Sequence, residues 1–241
     1  MPIYAKQGRI IHHIHIPGCA GNSISELLRE NNWTKLDIPV PPKFKHFFKA
    51  GYKKNNDSLE NDNFYSDYKH RDIWKEFFDG TKIKPEYQFA VVRNPYTRIE
   101  FNLKQLSSYP DELEFLNNFE SNIEYKVPAH FLMMHFAKFC QHNSMYDNKF
   151  MLQSQFLDSG VRVYKIESGL EVLLDDLVKL DVIETKQLNK RNASPINLNM
   201  KIPWNLPGYE MVHEVFSRLY KKDFKDLNYP IMEIVGISNR E

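Results

Sequence analysis

The sequence predicts an α/β fold in which a parallel sheet is covered by helices. Three short apolar segments, at residues 9–16, 87–92 and 161–166, have the length and composition of buried strands. A segment with helical periodicity follows each of them. Strands that alternate with helices are typical of a parallel sheet, because each helix returns the chain to the edge from which the next strand starts.

The first strand and its loop read RIIHHIHIPGCAGNS, residues 9–23. The strand is rich in isoleucine, and we expect it to end at Pro17. The sequence SISE from Ser23 matches a capping box, and the apolar residues after it recur at helical spacing. This segment therefore predicts a strand, a tight loop and a helix capped by Ser23.

The other predicted elements follow in chain order. The strand YQFAVV at 87–92 ends at the tripeptide Arg-Asn-Pro, and a helix is expected to begin near Tyr96. The strand at 161–166 leads to a helix at 168–180. Further helices are predicted at residues 70–79, 111–119, 128–142 and 207–222. Pro128 opens one of them at a first-turn position, where a missing amide hydrogen is tolerated.

The chain shows no internal repeat, so residues 1–241 are predicted to form a single domain. Residues 41–69 are polar, basic and aromatic with weak periodicity, which favours a surface excursion. Such an excursion either carries binding groups or is a plain solvated insertion. Residues 111–150 are interpreted as a helical insertion.

The composition is that of a globular protein, with 42% hydrophobic and 26% charged residues. The net charge of +1 gives no field for nucleic acid or an acidic membrane, so neither is an expected partner. Two cysteines without metal-site spacing, and no apolar run of membrane-spanning length, favour a cytoplasmic protein. Nothing in the sequence indicates an oligomeric state.

The loop after the first strand has features of an anion site. Gly18 and Gly21 remove side chains where the backbone must bend and approach a ligand. The amides of residues 20–24 would point outward at the start of a helix, where the dipole also favours an anion. Asn22 and Ser23 add side-chain donors. The Walker pattern GxxxxGK[ST] is absent, and a plain strand-to-helix turn is the alternative.

Two arginines follow the second strand. Arg93 comes directly after the buried segment, and its guanidinium group could bind a phosphate through two parallel hydrogen bonds. Arg98 lies five residues further on. The alternative for each is a salt bridge that holds the strand end, and for Arg98 this alternative is preferred.

Three histidines lie on the first strand. His13 and His15 share one face of it, and His12 lies on the other. An HxH pair could bind a metal in a hydrolase, but neither an HExxH nor a DxH cluster completes the ligand set. Histidines with hydrogen bonds inside the core are the favoured interpretation.

The segments HIPGCAGNS, residues 15–23, and FAVVRNPYTRIEF, residues 89–101, resemble two motifs of the carbohydrate-type sulfotransferases. That family uses 3′-phosphoadenosine 5′-phosphosulfate (PAPS), and its motifs typically read HIPKTAGTS and FxFVRNPYDRLVS. The resemblance continues in the same order through nearly the whole chain: His70, Gln153 or Gln155, VYKIESG at 163–169, NKRNASP at 189–195 and YKKDFKDLNY at 220–229.

The resemblance implies a P-loop-like fold in three layers and an enzyme that moves a sulfuryl group to a hydroxyl of a carbohydrate or other small acceptor. PAPS would be the donor, adenosine 3′,5′-bisphosphate the product, and no metal would be required. Arg93 would hold the 3′-phosphate, with help from Lys190 and Arg191. The 5′-phosphosulfate would lie in the loop formed by Gly18, Cys19, Ala20, Gly21, Asn22 and Ser23.

The resemblance also implies catalytic residues. His70 matches a family histidine that suits the role of general base, because neutral imidazole accepts a proton near neutral pH. Lys69 lies next to it and could supply a cation to the leaving group. The alternative for His70 is a histidine at a helix start without a chemical role.

The sequence departs from the family at two positions. Gly18 stands where the family has a loop lysine, and Phe101 where it has a serine that shares the 3′-phosphate. A substitute cation could come from Lys69 or from Lys43, Lys45 or Lys49 of the excursion. The second hypothesis is therefore a relative that binds nucleotide or glycan without turnover, and the third is the metal-dependent hydrolase.

Overall fold

The computed structural model describes residues 2–36, 75, 78–81, 83–106, 125–141, 150–186, 188 and 200–234. Two compact units are present. The first unit comprises Met1–Arg93 and Gln155–Asn192, and the second comprises Asn94–Ser154 and Ala193–Glu241. The single domain over residues 1–241 stays a prediction.

The strands are β1 (Ile3–Lys6), β2 (Arg9–Ile14), β3 (Thr34–Leu36), β4 (Tyr87–Val92), β5 (Tyr125–Lys126), β6 (Arg162–Lys165) and β7 (Met200–Lys201). The α-helices are α1 (Gly21–Glu30), α2 (Pro95–Leu106), α3 (Ala129–Gln141), α4 (Glu171–Lys179), α5 (Glu210–Leu219) and α6 (Lys221–Asp226). Residues 75 and 78–81 are also helical, and short 3-10 helices span Gln153–Gln155 and Ile166–Ser168.

The first unit is built on a five-stranded sheet with the order β3-β1-β2-β4-β6. The prediction of an α/β fold is confirmed, and β2, β4 and β6 are parallel as expected. The sheet is mixed, however, because β1 pairs antiparallel with both β2 and β3. The reason is the two-residue turn Gln7-Gly8, with φ of 50° and 81°, which reverses the chain into a hairpin.

The core of the first unit surrounds β4. Phe89, Ala90, Val91 and Val92 are each at most 1% exposed, so this strand is covered on both faces. Trp33, which follows α1, is also buried, and its indole N–H donates to the carbonyl oxygen of Val182 at 2.7 Å. The sheet therefore gives the ends of its parallel strands a rigid support.

The second unit packs α2, α3, α5 and α6 around an aromatic core and includes the two-stranded sheet of β5 and β7. Tyr96, Trp204 and Phe216 lie within 5.2 Å of one another between ring centroids. The Tyr96 hydroxyl lies 2.8 Å from Nε2 of His213. Tyr96, Trp204 and Phe216 are all buried and form part of the core of this unit.

Several predicted elements agree with the structure apart from their ends. The strand predicted at 87–92 is confirmed, and the helix after it begins at Pro95. The strands predicted at 9–16 and 161–166 are shorter, and Pro128 precedes its helix instead of opening it. The helix predicted at 207–222 is wrong as a single element, since α5 ends at Leu219 and α6 begins at Lys221.

Other predictions fall partly or wholly outside the described residues. These are the excursion at 41–69, the helix at 111–119 and much of the insertion at 111–150. The helix predicted at 70–79 is described only at residues 75 and 78–79, which are helical. The helix predicted at 168–180 corresponds to α4, preceded by the 3-10 turn Ile166–Ser168.

Candidate anion-binding site

The two motif segments leave the sheet at the same edge. β2 and β4 are parallel neighbours, with Ile11 opposite Tyr87 and Ile14 opposite Ala90. The loop to α1 continues from β2, and Arg93 continues directly from β4. In open α/β sheets, ligands bind at this edge, beyond the carboxyl ends of the strands.

The loop between β2 and α1 is a tight turn with two left-handed residues. Gly18 has φ of 80°, and Ala20 has φ of 60° and ψ of 12°. The amide of Cys19 donates to the carbonyl oxygen of Ile16 at 3.2 Å and closes the turn. A left-handed alanine costs about 1 kcal/mol, so the surrounding contacts must hold Ala20 in this conformation.

The first turn of α1 presents its amides at this loop. The helix begins at Gly21, and its first backbone bond runs from the Ile24 amide to the Ala20 carbonyl oxygen at 3.1 Å. The amides of residues 21–23 therefore precede the internal hydrogen bonds of the helix. An anion here would accept hydrogen bonds from them and lie at the positive end of the helix dipole.

The predicted capping box at Ser23 is wrong. The left-handed Ala20 starts the helix before Ser23, which therefore lies in the first turn and is only 8% exposed. The helix has no side-chain cap at Ala20. Asn22 is exposed, whereas the Cys19 thiol is buried and lies 3.7 Å from the Pro17 carbonyl oxygen. The donors at this surface are thus backbone amides and the Asn22 side chain.

A basic side chain lies at the carboxyl end of each of the other two parallel strands, β4 and β6. Arg93 is half-buried directly after β4. Lys165, also half-buried, is the last residue of β6 and pairs with Val92. Lys165 was not among the predicted site residues, although its position near the end of the strand predicted at 161–166 was a usable signal.

Arg98 makes a structural contact with the backbone, and the salt bridge expected for it stays a prediction. It lies in α2 of the second unit and is only 2% exposed. Its Nη1 donates to the carbonyl oxygen of Met151 at 2.7 Å. This buried contact fastens the chain around Met151 to α2.

The histidines of β2 belong to the sheet. Nδ1 of His12 lies 3.3 Å from the side-chain oxygen of Gln88, and the ring of His13 stacks on Phe89. Burial lowers the pKa of both His12 and His13 to about 3. Within the described ranges, no group of three or more His, Cys, Asp or Glu side chains could hold a metal. The described residues therefore offer no metal-binding site to support the hypothesis of a metal-dependent hydrolase.

We expect the free energy of unfolding to fall by roughly 2–4 kcal/mol between about pH 7.5 and about pH 5 because of His12 and His13. Their native pKa values lie below the ordinary value of 6.5, so the unfolded chain binds more protons in this range. The contribution of these two histidines to the free energy of unfolding is therefore present above about pH 6.5 and is lost as the pH falls toward 3. Urea unfolding at several pH values measures the slope.

Two variants separate this effect from general acid sensitivity. His13→Phe keeps an aromatic ring against Phe89 but cannot titrate, so its pH slope should be smaller than that of the wild type. His130→Gln, which changes an exposed histidine, is the control substitution. Equal slopes in the wild type and His13→Phe would contradict the assignment.

The remaining predicted site residues lie outside the described residues. They are Lys69 and His70 of the predicted catalytic pair, Lys190 and Arg191, and the excursion lysines Lys43, Lys45 and Lys49. Phe101, one of the two positions that depart from the motifs the sequence resembles, is half-buried in α2 of the second unit. The described part of the predicted site therefore consists of the loop and Arg93.

Among the described helices, none combines the length and the apolar character needed to cross a bilayer.

No family model matches the sequence, and no curated protein matches it. A solved structure of a sulfotransferase from Alicyclobacillus acidocaldarius is similar at 14% identity, with a TM-score of 0.42. The match covers 91% of this chain and 96% of that one. A likeness at this level carries no argument about function.

Proposed function

We propose that this protein is a PAPS-dependent sulfotransferase that acts on a hydroxyl of a carbohydrate or other small acceptor. One observation carries the proposal. The loop after β2, with its left-handed Gly18 and Ala20, presents first-turn amides at the sheet edge from which Arg93 also emerges. The sequence motifs HIPGCAGNS and RNPYTR lie at these two positions.

The residues present at this edge fit a donor that carries two separate phosphate groups. The amides of Gly21, Asn22 and Ser23 suit the 5′-phosphosulfate, since an anion at a helix start needs no side-chain cation. The guanidinium group of Arg93 suits the 3′-phosphate, because its donors match two phosphate oxygens. When bound, PAPS supplies an activated sulfuryl group.

The chain's own contribution would be orientation and charge. The loop amides would hold the donor in line with an acceptor hydroxyl, and fixed donors are effective because they need no rearrangement during the reaction. His70 would accept the proton of the hydroxyl, and Lys69 would lie near the leaving group. These two roles rest on the sequence resemblance alone.

Gly18 favours one alternative, a protein that binds the donor nucleotide without turnover. Its left-handed φ of 80° is easily adopted by glycine but is strained for lysine. The loop is therefore built for glycine at this position, and a cation for the leaving group would have to come from elsewhere. Lys190 and Arg191 could supplement the phosphate contacts in either case.

Transfer of label from PAPS to a panel of glycans tests the proposal. Under the proposed function we expect labelled product from the wild-type protein. Gly18→Lys should lower the rate, because a lysine at a left-handed position distorts a loop that works with glycine. Absence of transfer together with absence of bisphosphate binding would overturn the proposal.

The same experiment separates the alternative. Bisphosphate binding without transfer by the wild type, combined with transfer by Gly18→Lys, would indicate a binding protein that has lost its catalytic cation. Gly160→Ala is a suitable control, because a methyl group at Gly160 meets nothing within 4 Å. It should behave as the wild type in both assays.

A further inference from the structure

A column of stacked rings leads from the middle of the sheet to the first residue of α1. The ring of His13 stacks on that of Phe89 at 5.1 Å between centroids, with 14° between their planes. The ring of His15 lies beyond it, 5.9 Å from His13 and 7° from parallel. Phe89 and His13 are each at most 1% exposed, so the base of the column is fixed in the core.

The column ends on the backbone of Gly21. A methyl group added at Gly21 would lie 2.1 Å from Cδ2 and 2.3 Å from Nε2 of His15. The imidazole ring therefore occupies the space that a side chain at this position would need. Gly21 does not have a positive φ, so this contact, and not backbone conformation, is what requires glycine here.

We propose that His15 is a positioning residue for the anion loop. By packing against Gly21, its ring fixes the first turn of α1 relative to β2 and so holds the strained residue Ala20 in the conformation that directs the amides outward. The link to ligand binding rests on the proposed function. The link to loop geometry stands on the contacts alone.

Two backbone hydrogen bonds report on the loop directly. They are the bond from the Cys19 amide to Ile16 and the bond from the Ile24 amide to Ala20. If His15 positions the loop, loss of its ring must weaken both bonds while the sheet stays intact. Amide hydrogen exchange by NMR reads these two amides and, as an internal reference, the amide of Val91 in β4.

The experiment compares the full-length wild type with His15→Ala, His15→Phe, Gly21→Ala and the double variant His15→Ala with Gly21→Ala. In His15→Ala we expect the Cys19 and Ile24 amides to exchange about tenfold faster, with Val91 unchanged. His15→Phe keeps a ring and should exchange as the wild type. Gly21→Ala should also loosen the loop, because the methyl group displaces the ring.

Adding Gly21→Ala should perturb the loop less in the His15→Ala background than in the wild type, since the methyl group then enters vacated space. Calorimetry with adenosine 3′,5′-bisphosphate should follow the same order, with His15→Ala about tenfold weaker than the wild type and His15→Phe within about twofold. Gly160→Ala serves as the control substitution.

The exchange data test the positioning role of His15, and the titration of the wild type tests the proposed function. Unchanged exchange in His15→Ala, or a His15→Phe variant as perturbed as His15→Ala, would overturn the positioning role, the latter because it would assign the effect to the imidazole nitrogens. A wild type that does not bind the bisphosphate would overturn the proposed function instead. In that case the exchange data alone would confirm or overturn the role of His15.

Discussion

Asp223→Ala is expected to lower the free energy of unfolding by roughly 2–6 kcal/mol. Asp223 is fully buried, and its carboxylate oxygens accept hydrogen bonds from the amides of Gln153 and Ser154, each at 2.8 Å. Alanine would leave both buried amides without this acceptor, at about 1–3 kcal/mol each. Urea unfolding at neutral pH measures the change.

Asp226→Ala is the matched control on the same helix. Asp226 is exposed and pairs with Lys222, and such surface pairs contribute about 0.2–1 kcal/mol. Asp223→Asn should fall between the two, because its amide keeps one acceptor oxygen. If Asp223→Ala were no more destabilising than Asp226→Ala, the proposed anchoring of the 153–154 segment would be incorrect.

This anchoring also explains the landmark YKKDFKDLNY in physical terms. The Tyr220 hydroxyl donates to the carbonyl oxygen of Phe150 at 2.5 Å, and Asp223 lies one turn later. Together they hold residues 150–154 against the start of α6 within the second unit. The spacing of Tyr220 and Asp223 therefore serves stability there, whatever its relation to ligand binding.

Arg93→Gln is expected to weaken the binding of adenosine 3′,5′-bisphosphate about 10- to 100-fold. A hydrogen bond between charged groups contributes about 1.5–3 kcal/mol, and glutamine cannot replace the forked guanidinium. Arg93→Lys keeps the charge without the fork and should lie between the wild type and Arg93→Gln. Calorimetric titration measures all three affinities.

Arg29→Gln controls for the change in net charge. Arg29 lies in the last turn of α1 and is paired with Glu26 at the surface. Its replacement should leave the affinity within about twofold of the wild type. Equal affinities for the wild type and Arg93→Gln would show that Arg93 does not contact the nucleotide.

The parallel strands could be predicted because their own residues specify them. β2 is rich in isoleucine and β4 is largely apolar, each strand ends in four buried residues, and each is followed by a proline that cannot continue a ladder. The loop residues could be singled out for the same local reason. Gly18, where the backbone was expected to bend, has a φ of 80°.

The features that could not be predicted from the sequence are β1, β3 and the break between α5 and α6. They depend on contacts distant in sequence or on single turns. β1 and β3 have four and three residues, too short to show a period. The Gln7-Gly8 turn pairs β1 with β2, whereas β3 pairs with β1 only after α1 has intervened. The break at Tyr220 was hidden because α5 and α6 bury residues on either side of it, so the apolar pattern continues.

The reason why position 21 requires glycine could not be inferred from the loop sequence either. Gly21 was expected to allow the close approach of a ligand, whereas the ring of His15 occupies the space that its side chain would need. That contact depends on how β2 and α1 are oriented after the turn. The orientation of α1 relative to β2 cannot be inferred from residue types alone.

The most direct test of the central claim is calorimetric titration of the wild-type protein with adenosine 3′,5′-bisphosphate, with adenosine 5′-monophosphate as comparison. The two nucleotides differ only in the 3′-phosphate that Arg93 is proposed to hold. We predict one bisphosphate per chain with a Kd on the order of micromolar, and at least about tenfold weaker binding of the monophosphate. Absence of bisphosphate binding, or equal affinity for both nucleotides, would contradict the account.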